Sequence, residues 1–246
     1  MKTILKVILL TAVVGYMLFA MVKFMSIDDV QPCRGLIVRI AEADDEETVA
    51  LVDSADVARM LRRGGIRPDS MMIGDISLMK VDSILLGNPY ISSVTSYKNA
   101  MDYLCVEITG FTPVLRVMNE DGTTYYLDAK GVRLPVNGNE LPVPIVTGHV
   151  NLKWGSAHLP RLVGQLYSDD FWAEEIEQVY VNRDSTVTLV PHRGDHLILL
   201  GHVANVRDKM ARLRTFYAQG LDKVGWNRYK TLNLEYDNQI ICTKKK

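Results

Sequence analysis

Apolar positions change rhythm along the chain, and each rhythm predicts a different element. Val7 to Val22 reads VILLTAVVGYMLFAMV with no charge, bracketed by Lys6 and Lys23. Extended to Ile4 and Met25, the run would form ~33 Å of helix at ~1.5 Å per residue, enough for a bilayer core of ~30 Å. Both lysines would sit near its ends, where long side chains reach the headgroups. A cleaved signal peptide is the competing reading. Its one plausible cut, after Ala20, puts Leu18 where a small residue is wanted. Residues 1–3 are therefore expected to be a short cytoplasmic tail and 4–25 a transmembrane helix. Lys2 and Lys6 precede the run and Asp28 and Asp29 follow it, so the positive-inside rule puts the bulk of the chain outside the cytoplasm.

From Gln31 to Ile108 the pattern fits one small α/β unit. Gly35 to Ile40 reads GLIVRI and predicts a strand. Asp53 or Ser54 can cap a helix with Val57, Met60 and Leu61 on its apolar face, ended by Gly64 and Gly65. Leu78, Val81 and Leu85 repeat at helical spacing after Ser77, and Gly87, Asn88 and Pro89 stop that helix. Ile91 to Tyr97 and Tyr103 to Ile108 read as two strands joined by a hairpin at Asn99 to Asp102. The predicted order is β-α-α-β-β, with both helices on one face of the sheet.

From about Gly110 short strands alternate with turns. Strands are predicted at Val114–Met118, Thr123–Asp128 and Val132–Leu134, with turns at Asn119–Gly122 and at Lys130 and Gly131. Pro135, Pro142 and Pro144 mark extended surface chain. Leu159–Tyr167 and Phe171–Glu175 read as helices. Glu177–Val181 and Thr186–Pro191 read as a hairpin, and Leu197–Leu200 as a further strand. Asn205–Leu221 is the strongest helix, with Val206, Met210, Leu213 and Tyr217 as its apolar stripe. In the last stretch, Lys230–Thr243, Leu232, Leu234 and Tyr236 would share one strand face; Asp237 and Asn238 fit either a hairpin turn or a bulge. The fold class is α+β: an N-terminal transmembrane helix, the small unit at 31–109, and a mixed β domain with flanking helices at 110–246.

Composition narrows the function. Of 246 residues, 48% are apolar and 23% charged, a globular balance. Lys and Arg number 28 against 29 Asp and Glu, which argues against a nucleic-acid-binding field. Cys33, Cys105 and Cys242 are too few and too scattered for a disulfide scaffold or a zinc site, and Cys105 fits a buried, inert thiol. His192 and His196 flank Asp195 in a turn between strands without a third ligand, so they read as polar turn residues. Ser156 and His158 lack a nucleophile elbow, and His149 and His202 stand alone. Glu42, Asp44, Asp45, Glu46 and Glu47 read as a solvated acidic loop. No catalytic residue, metal, cofactor or small-molecule substrate is expected. Such a body can instead offer a sheet edge, whose unpaired N–H and C=O groups an incoming chain can satisfy.

Several segments carry a resemblance. Asn88-Pro89-Tyr90-Ile91-Ser92-Ser93-Val94 looks like the turn out of the second helix of a POTRA domain. Val106-Glu107-Ile108 through Pro113-Val114-Leu115-Arg116 looks like a crossing from POTRA into a β domain. Tyr125-Tyr126-Leu127-Asp128-Ala129-Lys130-Gly131-Val132 looks like an aspartate–glycine hairpin with one extra residue. Leu141-Pro142 with Ile145 and Gly148, then Leu199-Leu200-Gly201, then Leu232 to Asn238 follow in order. The ordered set resembles the bacterial cell-division family FtsQ/DivIB, in a Bacteroidota-like version. Two departures are Glu235, where the family commonly has a basic residue, and Gln239, where glycine is usual.

The resemblance implies a non-enzymatic scaffold of the inner membrane at the division septum. It would be single-pass, with its bulk in the periplasm, and would bind FtsB and FtsL to help assemble the septal peptidoglycan synthesis machinery. Carried onto this sequence, the partner-binding residues are Tyr236, Asp237, Asn238, Ile240 and Ile241, with Arg212, Arg214 and Phe216 on the preceding helix. A POTRA-containing transport or secretion component and a membrane-anchored envelope hydrolase are the alternatives.

Overall fold

A computed structural model describes residues 2–25, 31–41, 51–136 and 140–245. The acidic run at 42–47 and Asp28 and Asp29 lie outside these residues. Helix α1 (Lys2–Met25) has 24 residues. Its side chains are described for 9–21, a stretch shorter than a bilayer span. Among the described residues no helix is long and apolar enough to cross a membrane. The chain divides into two compact units, Met1–Phe111 and Thr112–Lys246.

The first unit contains β1 (Gly35–Ala41), α2 (Ser54–Arg63), a 3-10 turn (Pro68–Ser70), α3 (Leu78–Leu86), β2 (Ile91–Lys98) and β3 (Tyr103–Gly110). Asp53, not Ser54, caps α2: it accepts from the Asp56 N–H while the Asp56 carboxylate accepts from the Asp53 N–H, a full capping box. Val57 and Leu61 of α2 and Val81 and Leu85 of α3 are fully buried beside Leu104, Val106 and Ile108 of β3. Sheet order is β1-β3-β2, with β1 parallel and β2 antiparallel to β3. Asn88 shapes the turn out of α3, accepting from the Tyr90 N–H at 3.0 Å.

The second unit is one nine-stranded sheet with helices on a single face, in the order β12-β11-β10-β9-β8-β7-β4-β5-β6. Its strands are β4 (Pro113–Asn119), β5 (Thr124–Asp128), β6 (Arg133–Leu134), β7 (Ile145–Gly148), β8 (Ile176–Val181), β9 (Val187–Pro191), β10 (Leu197–Gly201), β11 (Tyr229–Asn233) and β12 (Ile241–Lys244). Helices α4 (Leu152–Tyr167), α5 (Asp170–Glu175) and α6 (Val206–Phe216) press Leu159, Trp172, Met210 and Leu213 into the core. A π-helical turn (Tyr217–Leu221) and one last turn, α7 (Asp222–Val224), follow α6.

Three points correct the sequence reading. Strand β7 was not predicted, because four residues between Pro144 and His149 carry too little pattern; it is parallel to both β4 and β8 and joins the two halves of the sheet. Helix α4 starts seven residues before Leu159, at an Asn151 cap, and carries Pro160 inside it. The helix expected to run to Leu221 changes to π geometry at Tyr217. Of the two readings open for Asp237 and Asn238, the structure holds the hairpin turn, between β11 and β12, with Asn238 at φ 58°.

Candidate functional site

Two edges close the large sheet, β6 and β12. Only two residues form β6, so β12 is the longer free edge. Helix α6 bonds the chain that leads into this edge. Lys209 sits three residues after Val206, on the buried stripe, and its Nζ donates to the carbonyls of Leu200 (2.9 Å) and His202 (2.8 Å). Burial pulls its ammonium below the ordinary lysine value, and Glu235 opposes that shift. One turn on, Arg212 donates to the carbonyls of Leu234 (3.1 Å) and Tyr236 (3.2 Å). Two cations of one helix thus satisfy backbone acceptors at the end of β10 and in the terminal hairpin loop, where no strand partner remains.

The loop between β11 and β12 is shaped by these bonds. Leu232 and Leu234 are fully buried, but the alternation breaks at Tyr236, which is 50% exposed instead of sharing their face. Asn233 Oδ1 accepts from the Glu235 N–H, which turns the chain out of the strand. Glu235 lies over Gly201, whose φ of +72° and absent Cβ leave room for it. Asp237 and Asn238 are exposed in the turn. Ile240 packs against the core, and Ile241 begins β12 with 45% of its surface exposed.

The structure brings most of the predicted residues together. Tyr236, Asp237, Asn238, Ile240 and Ile241 share the hairpin, and Arg212 reaches it from α6. Phe216 packs toward Tyr229 of β11, ring centroids 6.1 Å apart. Arg214 points elsewhere: it pairs with Asp169 at 2.9 Å and lies over the Phe171 ring. Sequence reasoning missed Lys209. Its signal was a lysine interrupting the apolar stripe at i+3 from Val206.

The residues weighed for chemistry do not converge. His192 meets Glu177 at 2.6 Å on the surface, whereas His196 is buried, with Nε2 2.9 Å from the Tyr217 hydroxyl. His158 bonds the Trp154 carbonyl and stacks on the Trp154 ring. Cys105 is buried, and all three thiols are free. Among the described residues no group of three His, Cys, Asp or Glu side chains is placed to hold a metal ion.

The FtsQ/DivIB C-terminal-related family model matches residues 112–243, the whole large sheet with its helices. The chain belongs to the FtsQ/DivIB family. A POTRA-like domain model matches residues 31–109, and no curated protein matches the chain. FtsQ/DivIB proteins serve bacterial cell division, and both they and POTRA-like domains are non-catalytic scaffold families. The hairpin at the free edge therefore lies within the part of the chain that carries the family match.

Proposed function

We propose that this FtsQ/DivIB-family protein is a single-span scaffold of the division septum. Helix α1 anchors it in the inner membrane with the N-terminus cytoplasmic and the two units periplasmic. The observation that carries the reading is the free β12 edge beside a loop that exposes Tyr236 and Ile241. An incoming strand from FtsB would pair its backbone with β12, and Tyr236, Asp237, Asn238 and Ile241 would select the partner's side chains. Arg212 fixes the loop in place before binding, so less ordering entropy is lost on association. FtsL joins the same complex, which then helps to assemble the septal peptidoglycan synthesis machinery. Confinement of all partners to one membrane raises their effective concentration.

Pull-down from detergent extracts tests the site, with the full chain as bait and FtsB and FtsL as prey. Tyr236→Ala and Ile241→Glu should each cut capture by about tenfold, a loss of ~1.4 kcal/mol. Both side chains are half exposed, so the circular dichroism spectrum should stay unchanged. Capture at the level of the unaltered chain by both variants would remove the hairpin from the interface.

A further inference from the structure

One end of the POTRA-like unit is unlike the rest of its surface. β1 starts at this end and β2 finishes there, because Gly35 pairs with Tyr103 and Lys98 with Leu104. The loop before α3 is tied to the same place: Pro32 bridges to Met72, the Cys33 N–H donates to the Met71 carbonyl, and Lys98 reaches the Gly74 carbonyl. The β2–β3 hairpin joins it through the Arg34 N–H, which donates to Asp102. Three methionines emerge here with large exposed fractions: Met72 (45%), Met79 (83%) and Met101 (67%). Cations surround them. Arg34 and Arg62 are paired with Asp102 and Asp69, while Arg63 and Arg67 are exposed and make no ion pair among the described residues; Asp75 of the loop before α3 is exposed as well.

This is also the end at which the chain arrives from α1. Six Cα steps separate Met25 from Gln31, which at ~3.5 Å per residue reach about 20 Å at full extension. A surface of flexible apolar side chains set among unpaired guanidinium groups has the chemistry of an interfacial membrane contact. Thioether side chains enter the acyl boundary, and arginines meet phosphate. We propose that this end of the POTRA-like unit lies on the anionic headgroups of the membrane that holds α1, with Met72, Met79 and Met101 at the interface. The proposal rests on the reading of α1 as an anchor. The contact would fix the tilt of the unit on the bilayer, which a free linker alone leaves unset.

Depth-dependent fluorescence quenching tests it on the full chain in vesicles of phosphatidylethanolamine and phosphatidylglycerol. Single cysteines for an environment-sensitive label are placed by Tyr16→Cys, Met72→Cys, Met101→Cys and Ser93→Cys in a Cys242→Ser background, since Cys33 and Cys105 are buried. Ser93 lies toward the other end of β2, ~16 Å from Lys98 at ~3.3 Å per residue. Headgroup-nitroxide lipid should quench labels at 72 and 101 at least ~threefold more than the label at 93, and chain-nitroxide lipid should quench the label at 16. Arg63→Glu combined with Arg67→Glu should abolish the excess at 72 and 101 and leave 16 unaltered.

If 16 is quenched while 72 and 101 match 93, the surface contact is wrong and the anchor stands. If 16 is not quenched, the anchor reading fails and takes the contact with it. Quenching that survives the double charge reversal overturns the assignment to anionic headgroups.

Discussion

Burial makes His196 a neutral hydrogen-bonding group. It is 1% exposed, meets the Tyr217 hydroxyl, and lies edge-on to that ring. Its Nδ1 is buried with no hydrogen-bond partner. Desolvation, then the nearby Lys245 ammonium, lower its pKa from 6.5, while Asp195 acts in the opposite sense. The unfolded chain therefore takes up a proton near pH 6.5 that the folded chain still refuses. Stability from this group is complete above that pH and is lost as pH falls below it. Urea unfolding at a series of pH values should show the decline in the unaltered chain, and His196→Gln should flatten that part of the curve. Equal slopes in both would remove His196 as the cause. The two histidines stood out in the sequence because they flank an acid. Spacing alone could not reveal that one faces solvent and the other an aromatic core.

At the scale of elements, legibility followed the number of residues that share a pattern. Helices α2 and α3 were readable because apolar spacing and glycine stops agreed, with a cap residue added at α2. Strand β7 was hidden by its length, and the start of α4 by Gly155, Ser156 and Pro160, whose low helix propensity is overridden by packing against the sheet. The Asp128 turn falls where Lys130 and Gly131 predict it. The buried Asp128 carboxylate accepts from the N–H groups of Lys130 (2.9 Å) and Val132 (2.6 Å), and Gly131, with φ +79°, passes so close to the Ser156 carbonyl that a Cβ would clash.

The terminal hairpin was half legible. Its residues were named, but its turn depends on Arg212, which is distant in sequence. Arg212→Ala strands the partly shielded Leu234 carbonyl and leaves the exposed Tyr236 carbonyl to water, and should lower stability by about 1 kcal/mol. Amide exchange at 234–240 should quicken in that variant while the exchange of β1–β3 is unchanged. Unaltered protection across 234–240 would show that the loop holds itself.

For the whole molecule, the two units divide the labour that the anchored-scaffold reading assigns. The large sheet ends in the β12 edge, which that reading gives to another chain, and the smaller unit gathers methionine and arginine where the chain arrives from α1. The order of segments made the family recognisable in the sequence, although each segment alone is short. What the sequence withheld was which surfaces stay uncovered, because that depends on how distant strands and helices meet. The central claim is that the protein serves septum assembly by binding and not by turnover. Depletion of the protein from its own cells, followed by microscopy and envelope fractionation, tests it most directly. The account predicts long filaments with regularly segregated nucleoids and a normal set of outer-membrane proteins. Cells of ordinary length that have lost outer-membrane proteins would contradict it.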